Sequence, residues 1–275
     1  MTWRAATYNI HHWEGIDGRI DVARVAEVVR GLDADLVALN EVYHPWTAPD
    51  DDRAALMRMA ETLGMTVAFG AALHRDPAGA SSATGYGNAL LSRWPILAHA
   101  THKLTGAPGH EPRILLEVRV QHPSGRPLTA YVTHLDHRSE EVRWSQAQSL
   151  LLWTARDRGR PHLLLGDLNA LAPGDYGAPG AWERLEAEMH ALGFDVESPR
   201  VLPRLLSAGY VDAMAASGSP VPTWSTERPL LRIDYILISE PLAPVLVECV
   251  RFEAAPAPVA SDHFPVVATF DGLPG

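Results

Sequence analysis

His162-Leu163-Leu164-Leu165-Gly166-Asp167-Leu168-Asn169-Ala170 is the stretch that decides the fold. A short apolar run after Pro161 predicts a strand that is buried on both faces. Because an unpaired buried charge is costly, a carboxylate belongs at the end of such a strand and not in its middle. Asp167 and Asn169 are two positions apart, so in an extended segment they would point the same way. They would offer a carboxylate and an amide to one site, and the alternative at this point is an Asx-turn that closes the strand.

The composition is typical of a soluble globular protein. The 275 residues are 47% apolar and 20% charged, which predicts one domain over residues 1–275. No apolar run within residues 1–20 is long enough for a signal peptide or a membrane span. A single cysteine, Cys249, excludes an intrachain disulfide. We therefore expect a cytoplasmic monomer without a membrane span.

The charge distribution argues against a broad nucleic-acid-binding surface. The net charge is -10, Lys103 is the only lysine, and the arginines are scattered without a basic arm or stripe. This lowers the expectation of tight, non-specific binding to nucleic acid. It leaves open a nuclease in which a bound metal supplies the positive charge.

Hydrophobic periodicity and turn residues predict about ten strands with interspersed helices. The predicted strands cover residues 3–10, 35–40, 66–70, 88–92, 96–104, 113–121, 128–134, 162–166, 233–239, 246–252 and 264–270. The predicted helices run from an Asp21 cap to an exit at Gly31, over 51–63, from a Ser139 cap to about 156, and near 182–192 and 203–208. Residues 74–87 are predicted as a loop. Because strands 88–134 follow one another without helices, an α/β body of mixed sheets fits better than a doubly wound parallel sheet.

Polar residues end or interrupt most of these apolar strands. They are Asn9, Glu41, His134, Asp136, Asp167, Asn169, Asp234, Asp262 and His263. We expect them to share one polar basin above a sheet edge. Crowded carboxylates repel one another and need a cation, and oxygen ligands without cysteine favour Mg²⁺ or Mn²⁺. Zinc is a minor alternative, since only His134, His137 and His263 could converge as its ligands.

Seven short motifs, in order along nearly the whole chain, carry a resemblance to a known family. They are Thr7-Tyr8-Asn9-Ile10, Leu39-Asn40-Glu41-Val42, Gly87-Asn88-Ala89-Leu90-Leu91-Ser92, Thr133-His134-Leu135, Gly166-Asp167-Leu168-Asn169, Arg232-Ile233-Asp234-Tyr235 and Ser261-Asp262-His263. This series resembles that of the endonuclease/exonuclease/phosphatase superfamily. That superfamily has the DNase I-like fold and also contains AP endonucleases, sphingomyelinases, inositol-polyphosphate 5-phosphatases and deadenylases. The resemblance implies a four-layered α/β sandwich, with two mixed β-sheets flanked by helices, and Mg²⁺-dependent phosphoester hydrolysis at one rim.

The resemblance also implies a role for each motif residue. Glu41 would be the principal metal ligand, with Asn9 beside it positioning metal or phosphate and Asp262 on the metal side. Asp167 would orient or deprotonate the attacking water, held by Asn169. The resemblance assigns the remaining catalytic and phosphate-binding roles to three further residues: His263 would bind phosphoryl oxygens or assist proton transfer, Asp234 would hold the His263 ring, and His134 would donate to the phosphate.

For several other polar and aromatic residues, the sequence leaves more than one role open. Asn88 would touch the substrate, or a turn at the start of a strand explains it. His11 and His12 would line the cleft or lie in a surface loop. Asp136 and His137 would at most support the site. The loop aromatics Trp46, Tyr86, Tyr176 and Trp224 would either wall a pocket or pack beneath loops.

These observations predict a metal-dependent phosphoesterase. The expected substrate is a small or lipid-like phosphodiester or phosphomonoester, because the surface lacks a basic track. A nuclease that acts on DNA or RNA is the alternative, and a catalytically silent binding scaffold is a third reading. Specificity is expected in the loops 42–50, 74–87, 104–112 and 171–232, for which one sequence offers no code.

Overall fold

A computed structural model of the chain describes residues 1–47, 53–74, 84–193 and 196–274. Within them, twelve strands form two six-stranded sheets. The strands are β1 (Thr2–Asn9), β2 (Leu36–His44), β3 (Thr66–His74), β4 (Gly85–Ser92), β5 (Ile96–Lys103), β6 (Ile114–Gln121), β7 (Pro127–His134), β8 (His162–Asp167), β9 (Tyr210–Asp212), β10 (Asp234–Ser239), β11 (Leu246–Arg251) and β12 (Val266–Asp271). The helices are α1 (Val22–Leu32), α2 (Ala55–Leu63), α3 (Glu140–Thr154), α4 (Ala181–Ala191), α5 (Val201–Ser207), α6 (Ala213–Ser217) and α7 (Ala257–Ala260).

Each sheet is mixed, and each has one parallel pair of strands at its centre. The first sheet has the order β11-β12-β1-β2-β4-β3, and the second has the order β5-β6-β7-β8-β10-β9. The pairs β1–β2 and β7–β8 are parallel, and the other neighbouring strands are antiparallel. Parallel strands need a crossover, which here contains α1 in the first sheet and α3 in the second.

Three apolar clusters separate the layers. The central cluster contains side chains from both sheets, such as Ala5 and Leu36 from the first sheet and Leu163 and Leu165 from the second. A second cluster joins the first sheet to α1 and α2, and a third joins the second sheet to α3 and α5. This arrangement confirms the predicted four-layered sandwich of two mixed sheets flanked by helices. In the described part of the chain, no helix is long and apolar enough to cross a membrane.

Several predicted boundaries were wrong, and local contacts explain why. The α1 helix begins at the predicted cap, where Asp21 accepts from the Arg24 N–H, but it continues past Gly31 to Leu32. Ser139 precedes α3 without capping it through its side chain, and Glu197 accepts the Glu140 N–H instead. Tertiary contacts of this kind are invisible to a local capping pattern.

Other elements are longer than predicted, or were missed. β2 continues to His44, β3 to His74, and β4 begins at Gly85. The short elements β9, α6 and α7 were not predicted, because they contain too few residues to show a period. The predictions that fall on residues 48–52 and 75–83 lie outside the described residues.

Candidate active site

The polarity of the strands explains why the predicted residues converge. Asn9 ends β1, His134 ends β7 and Asp167 ends β8, so three strands of the two parallel pairs finish at one rim. Asp234 begins the antiparallel strand β10 and lies opposite Asp167 in the register. His263 precedes β12, which runs antiparallel to β1. All five residues therefore reach the same end of the sandwich.

Glu41 reaches this rim through an irregularity inside a strand. The register of β2 against β4 shifts between Leu39 and Val42. Glu41 has a φ of +61°, which places it in the left-handed region that non-glycine residues seldom adopt. An extra residue in one strand re-aims the local side chains. The sequence predicted that the strand ends at Glu41, whereas the strand continues and a bulge turns Glu41 into the cavity.

Asp167 is the centre of the polar cluster. Its Oδ2 accepts from Asn9 Nδ2 at 3.1 Å and lies 3.5 Å from His134 Nε2 and 3.8 Å from His263 Nε2. Its Oδ1 accepts from the Asn169 backbone N–H at 2.9 Å. On the other side of His263, Asp234 Oδ2 lies 2.9 Å from Nδ1. The result is a buried Asp234–His263–Asp167 row.

Burial and neighbouring charges shift the pKa values of Asp167, His263 and His134 in different directions. Burial and the Asp234 carboxylate raise the pKa of the Asp167 carboxyl above its usual range. Burial alone would lower the pKa of His263, but Asp234 and Asp167 outweigh it and raise that pKa to about 10. Burial and Arg113 instead hold the pKa of His134 well below its usual value. At neutral pH the rim therefore offers a cationic His263 and a neutral His134.

Glu41 forms a second acidic position in the site. Asn9 Nδ2 donates to Glu41 Oε1 at 3.1 Å, and His12 Nδ1 lies 2.9 Å from Glu41 Oε2. Burial opposes ionisation of Glu41, but His12 and Asn9 outweigh it and hold the pKa of Glu41 well below its usual value. Glu41 therefore carries a negative charge, as a ligand of a hard cation must.

The site opens into a cavity of about 430 Å³ that is lined by both polar and apolar side chains. The polar lining includes His11, His12, Glu41, His134, Asp167, Asn169, Asp262 and His263. The apolar lining includes Leu171, Met189, Val196, Pro199, Trp224, Leu231 and Ile233. Six of these seven apolar positions lie in the segment 171–232, in which specificity was expected, and Ile233 directly follows it.

The sequence-family comparison agrees with this geometry. A model of the Endonuclease/Exonuclease/phosphatase family matches residues 6–263. The chain belongs to the endonuclease/exonuclease/phosphatase family. Membership of this family implies metal-dependent phosphoesterase or nuclease chemistry. No curated protein matches the chain by sequence at a significant level.

Solved structures of the family share the fold at low sequence identity. An endonuclease/exonuclease/phosphatase from Beutenbergia cavernae is 23% identical with a TM-score of 0.73, covering 100% of this chain and 72% of that one. A functionally unknown conserved protein from Enterococcus faecalis is 19% identical with a TM-score of 0.69, covering 98% and 99%. A truncated Caenorhabditis elegans TDP2 is 19% identical with a TM-score of 0.61, covering 99% and 98%. At these identities the comparison supports the fold alone.

Two of the residues predicted from the family motifs lie in the site with unexpected orientations. Asn169 has a φ of +47°, so the segment after Asp167 is not extended. The Asn169 side chain donates a hydrogen bond to the Leu135 carbonyl oxygen, and the Asn169 backbone N–H donates one to Asp167 Oδ1. Asn9 accepts the His11 N–H through Oδ1 and directs Nδ2 to the two carboxylates. In this orientation Nδ2, and not the oxygen, faces Glu41 and Asp167, and the role of Asn9 as a metal ligand stays a prediction.

Asn88 is not part of the cavity. The prediction placed it against the substrate, but it is buried within β4, and its Oδ1 accepts from Asn40 Nδ2 at 2.9 Å. Asp262 does line the cavity, at its edge, where Oδ2 accepts from Trp224 Nε1 at 3.1 Å. Among the loop aromatics, Tyr86 and Trp224 line the cavity.

The other two loop aromatics pack against neighbouring rings. Trp46 stacks on Trp13, and Tyr176 packs edge-on against Trp182. Asp136 accepts from the N–H groups of Arg138 and Ser139 and contacts His110, so it orders the loop before α3. His137 lines the cavity.

Sequence reasoning missed three buried residues that shape the site. Asn40 accepts the Asp167 N–H through Oδ1 and donates to the Thr133 carbonyl and to Asn88, so it joins the two sheets beneath the cavity. Arg113 and Arg143 line the cavity, paired with Glu111 at 3.0 Å and with Glu140 at 2.8 Å. The sequence feature that could have identified Asn40 is an amide that follows an apolar run, as at Asn9.

The donor set fits a hard divalent cation. The carboxylates of Glu41 and Asp262 face the cavity. Asp167 and Asp234 lie beside them in a cluster with His263, in which ligand atoms of all three residues lie within 4.8 Å of one another, and the protonated His263 would remain outside the ligand set. Asp234 Oδ1 is buried without a hydrogen-bond partner within the described residues. Carboxylate oxygens with few nitrogen donors and no cysteine are typical of sites for such ions.

Proposed function

We propose that the protein is a Mg²⁺- or Mn²⁺-dependent hydrolase of small or lipid-like phosphoesters. The observation that carries this proposal is the convergence of Glu41, Asp167, Asp234 and His263, distant in sequence, at one cavity. Phosphoryl transfer needs charge neutralisation and alignment more than covalent chemistry. Acidic groups, a cationic imidazole and a neutral imidazole at one rim supply both requirements.

The residues around Asp167 have complementary roles in the proposed reaction. A water molecule attacks phosphorus, its proton passes to Asp167, and the bond from phosphorus to the leaving oxygen breaks. The raised pKa of Asp167 suits it to accept that proton near neutral pH. The Asn169 N–H and Asn9 Nδ2 hold the carboxylate in place.

The two histidines act on the phosphoryl group. His263 stays protonated because of Asp234 and would bind a phosphoryl oxygen as a cation. His134 is neutral and would donate one N–H as negative charge develops on the phosphoryl oxygens. Glu41 and Asp262 would hold the divalent cation. When bound, that cation would neutralise phosphate charge and align the reacting groups.

The cavity and the charge of the chain favour a small substrate. A volume of about 430 Å³, with apolar residues such as Leu171 and Leu231 in the lining, suits a small organic phosphoester. Arg113 and Arg143 at this cavity are already paired with glutamates, so they offer no track for a polyphosphate backbone. A nuclease remains the second candidate, because the family name covers endonucleases and exonucleases.

An activity panel tests the proposal. Purified, metal-stripped protein would be supplied with Mg²⁺ or Mn²⁺ and assayed against bis(p-nitrophenyl) phosphate, a plasmid, an abasic duplex and single strands. We expect metal-dependent hydrolysis of the small diester. We further expect Glu41→Gln, Asp167→Asn and His263→Gln to lose about 10²–10³-fold or more in kcat, while the exposed Glu183→Gln and His190→Gln controls keep full activity.

Three results would contradict parts of the proposal. Faster cleavage of nucleic acid than of the small diester at physiological salt would favour a nuclease. Unchanged activity in the folded Glu41→Gln and His263→Gln variants would overturn the residue assignments. Absence of hydrolysis on every substrate with either metal would favour a binding scaffold.

A further inference from the structure

Three consecutive residues beside the cavity adopt a strained backbone. His11, His12 and Trp13 have φ values of +43°, +45° and +73°, and none of them is glycine. Non-glycine residues are disfavoured in the left-handed region, so three in a row need strong compensation. Trp13 supplies part of it, because its ring is fully buried in the cluster under α1. Strain that is held in place in this way is found at functional sites.

The strained turn holds the His12 ring against the acidic side of the cavity. His12 Nδ1 lies 2.9 Å from Glu41 Oε2. That nitrogen is buried and pairs with Glu41 Oε2, although the geometry of the pair is poor for a hydrogen bond. The rings of Tyr43 and Tyr86 lie 5.8 Å and 6.2 Å from the His12 ring and limit its movement. A cation that binds at His12 Nδ1 would displace any proton held between this nitrogen and Glu41.

His12 lies beside the carboxylate oxygen of Glu41 that Asn9 does not bind. Asn9 Oδ1 accepts the His11 N–H, and Asn9 Nδ2 donates to Glu41 Oε1. In this orientation the Asn9 amide presents its N–H group, and not its oxygen, to Glu41. The other carboxylate oxygen of Glu41, Oε2, has His12 Nδ1 as its neighbour. Two neighbouring ligands of an octahedral ion at about 2.1 Å lie about 3.0 Å apart, which is close to the observed separation of 2.9 Å.

We propose that His12 Nδ1 is a metal ligand beside Glu41 and that it shifts the site's preference from Mg²⁺ towards first-row transition ions such as Mn²⁺ and Co²⁺. This inference rests on the proposed function, since it concerns the same cation. Imidazole nitrogen is a better ligand for transition ions than for Mg²⁺, which strongly prefers oxygen. One imidazole nitrogen in a carboxylate site should therefore favour Mn²⁺ over Mg²⁺, although the two ions carry the same charge.

His11 offers a matched control. It is adjacent in sequence, shares the left-handed conformation and also lines the cavity. Its Nδ1, however, forms a hydrogen bond with the Glu14 carbonyl oxygen at 3.2 Å and lies 4.0 Å from Asp262 Oδ1. Replacing His11 should therefore perturb the same turn and the Asp262 side of the site without removing the nitrogen beside Glu41. Asparagine is the suitable replacement at both positions, because it tolerates the left-handed region better than most residues.

The experiment measures metal binding directly on the full, metal-stripped chain. Mn²⁺ affinity would be obtained from the electron paramagnetic resonance signal of free Mn²⁺, and Mg²⁺ affinity by competition. Pulsed measurements on bound Mn²⁺ would report coupling to imidazole nitrogen. We expect His12→Asn to lose the nitrogen coupling and to weaken Mn²⁺ binding about 10–100-fold, with Mg²⁺ binding changed less than about threefold. His11→Asn should keep the nitrogen coupling and the wild-type preference for Mn²⁺ over Mg²⁺.

The outcomes separate this inference from the proposed function. Absence of nitrogen coupling in the wild type, or an equal loss of Mn²⁺ and Mg²⁺ affinity in His12→Asn, would overturn the role of His12. If Glu41→Gln abolishes Mn²⁺ binding in that case, the proposed metal site still stands. If the wild type binds neither ion at millimolar concentration, the proposed function itself fails. Thermal unfolding of the metal-free variants checks that each of them is folded, and Glu41→Asp offers a second perturbation at the same site.

Discussion

Two buried histidines of this protein carry different charges at neutral pH because of their neighbours. His263 faces Asp234 and Asp167, which raise its pKa to about 10 against the effect of burial. The ring nitrogens of His162 instead lie 2.9 Å from the Arg160 carbonyl oxygen and 3.0 Å from the Tyr210 hydroxyl, which are both uncharged partners. Burial therefore lowers the pKa of His162. The charge of each histidine is therefore set by its neighbours and not by its residue type. The positive charge of His263 suits it to bind an anion.

The lowered pKa of His162 predicts a pH dependence of stability. The unfolded state takes up a proton near pH 6.5 while the folded state does not, so this contribution is complete above pH 6.5 and is lost as the pH falls through the lowered pKa. Glutamine in place of His162 removes that proton uptake. We expect the free energy of unfolding of His162→Gln to fall less steeply between pH 7 and 5, by up to about 1.4 kcal/mol per pH unit.

Chemical denaturation at a series of pH values measures this effect. The exposed His190→Gln variant is the control and should reproduce the wild-type slope. Parallel curves for His162→Gln and the wild type would show that His162 is protonated alike in the folded and unfolded states, against the prediction.

At the residue scale, the sequence predicts which residues meet but not how they are oriented. Asn9, Asp167 and His263 were predicted to converge, and they lie within one hydrogen-bonded cluster. For Asn88 the sequence left open a substrate contact or a turn at the start of a strand, whereas in the structure it is buried within β4 and accepts a hydrogen bond from Asn40. The orientation of an amide depends on which donors and acceptors surround it in three dimensions, and those neighbours come from distant parts of the chain.

At the scale of elements, long strands were predictable and their irregularities were not. The alternation and apolar runs of β6, β7 and β8 indicate their type and approximate bounds. The bulge in β2 that re-aims Glu41 leaves no mark in the hydrophobic pattern, because Leu39 and Val42 are both apolar and buried. The elements β9 and α7, with three and four residues, fall below the length at which a period is visible.

Gly166 provides a prediction at this scale. It lies one residue before Asp167 in β8 and has a φ of +140°. A Cβ atom there would overlap the Thr133 carbonyl oxygen in the neighbouring strand β7 and press on Asn40 Oδ1. Gly166 therefore allows β7 and β8 to approach closely at the rim. We expect Gly166→Ala to destabilise the protein by more than about 4 kcal/mol, or to prevent folding, since backbone cannot move aside.

Gly109→Ala is the matched control for this substitution. Gly109 also has a positive φ, +79°, but a Cβ atom there would meet nothing within 4 Å. Gly109→Ala should lower the free energy of unfolding only by the cost of the left-handed backbone conformation, about 1–2 kcal/mol. Denaturant unfolding and the soluble yield of both variants provide the measurement. Similar losses for the two glycines would mean that backbone conformation alone, and not the contact between β7 and β8, requires Gly166.

At the scale of the whole molecule, the two halves of the sandwich repeat one arrangement. Each sheet has a central parallel pair, and the ends of these pairs bring Asn9 from one sheet next to His134 and Asp167 from the other. The site therefore lies between the sheets and needs both of them. Asn40 strengthens this junction, because it belongs to β2 and binds backbone groups of β7 and β8. The sequence could indicate mixed sheets, but not this contact between them.

The overall charge yields a last prediction, which separates the two candidate substrate classes. With 33 acidic and 23 basic residues, the protein repels anions at long range. Salt screens such repulsion beyond about 10 Å at 0.1 M, so association with a small anionic phosphoester should not weaken as salt is added. At saturating divalent metal, we expect kcat/KM for bis(p-nitrophenyl) phosphate to stay constant within about twofold, or to rise, between about 50 and 200 mM salt. An enzyme that binds a nucleic-acid backbone through 6–10 phosphate contacts would instead lose about 10³–10⁵-fold in affinity over that range. Steady-state kinetics on both substrate classes across one salt series gives the comparison, with ionic strength adjusted by a monovalent salt alone. A steep fall for the small diester would mean that cationic side chains attract it, and Arg113 and Arg143 of the cavity would then be the first residues to replace.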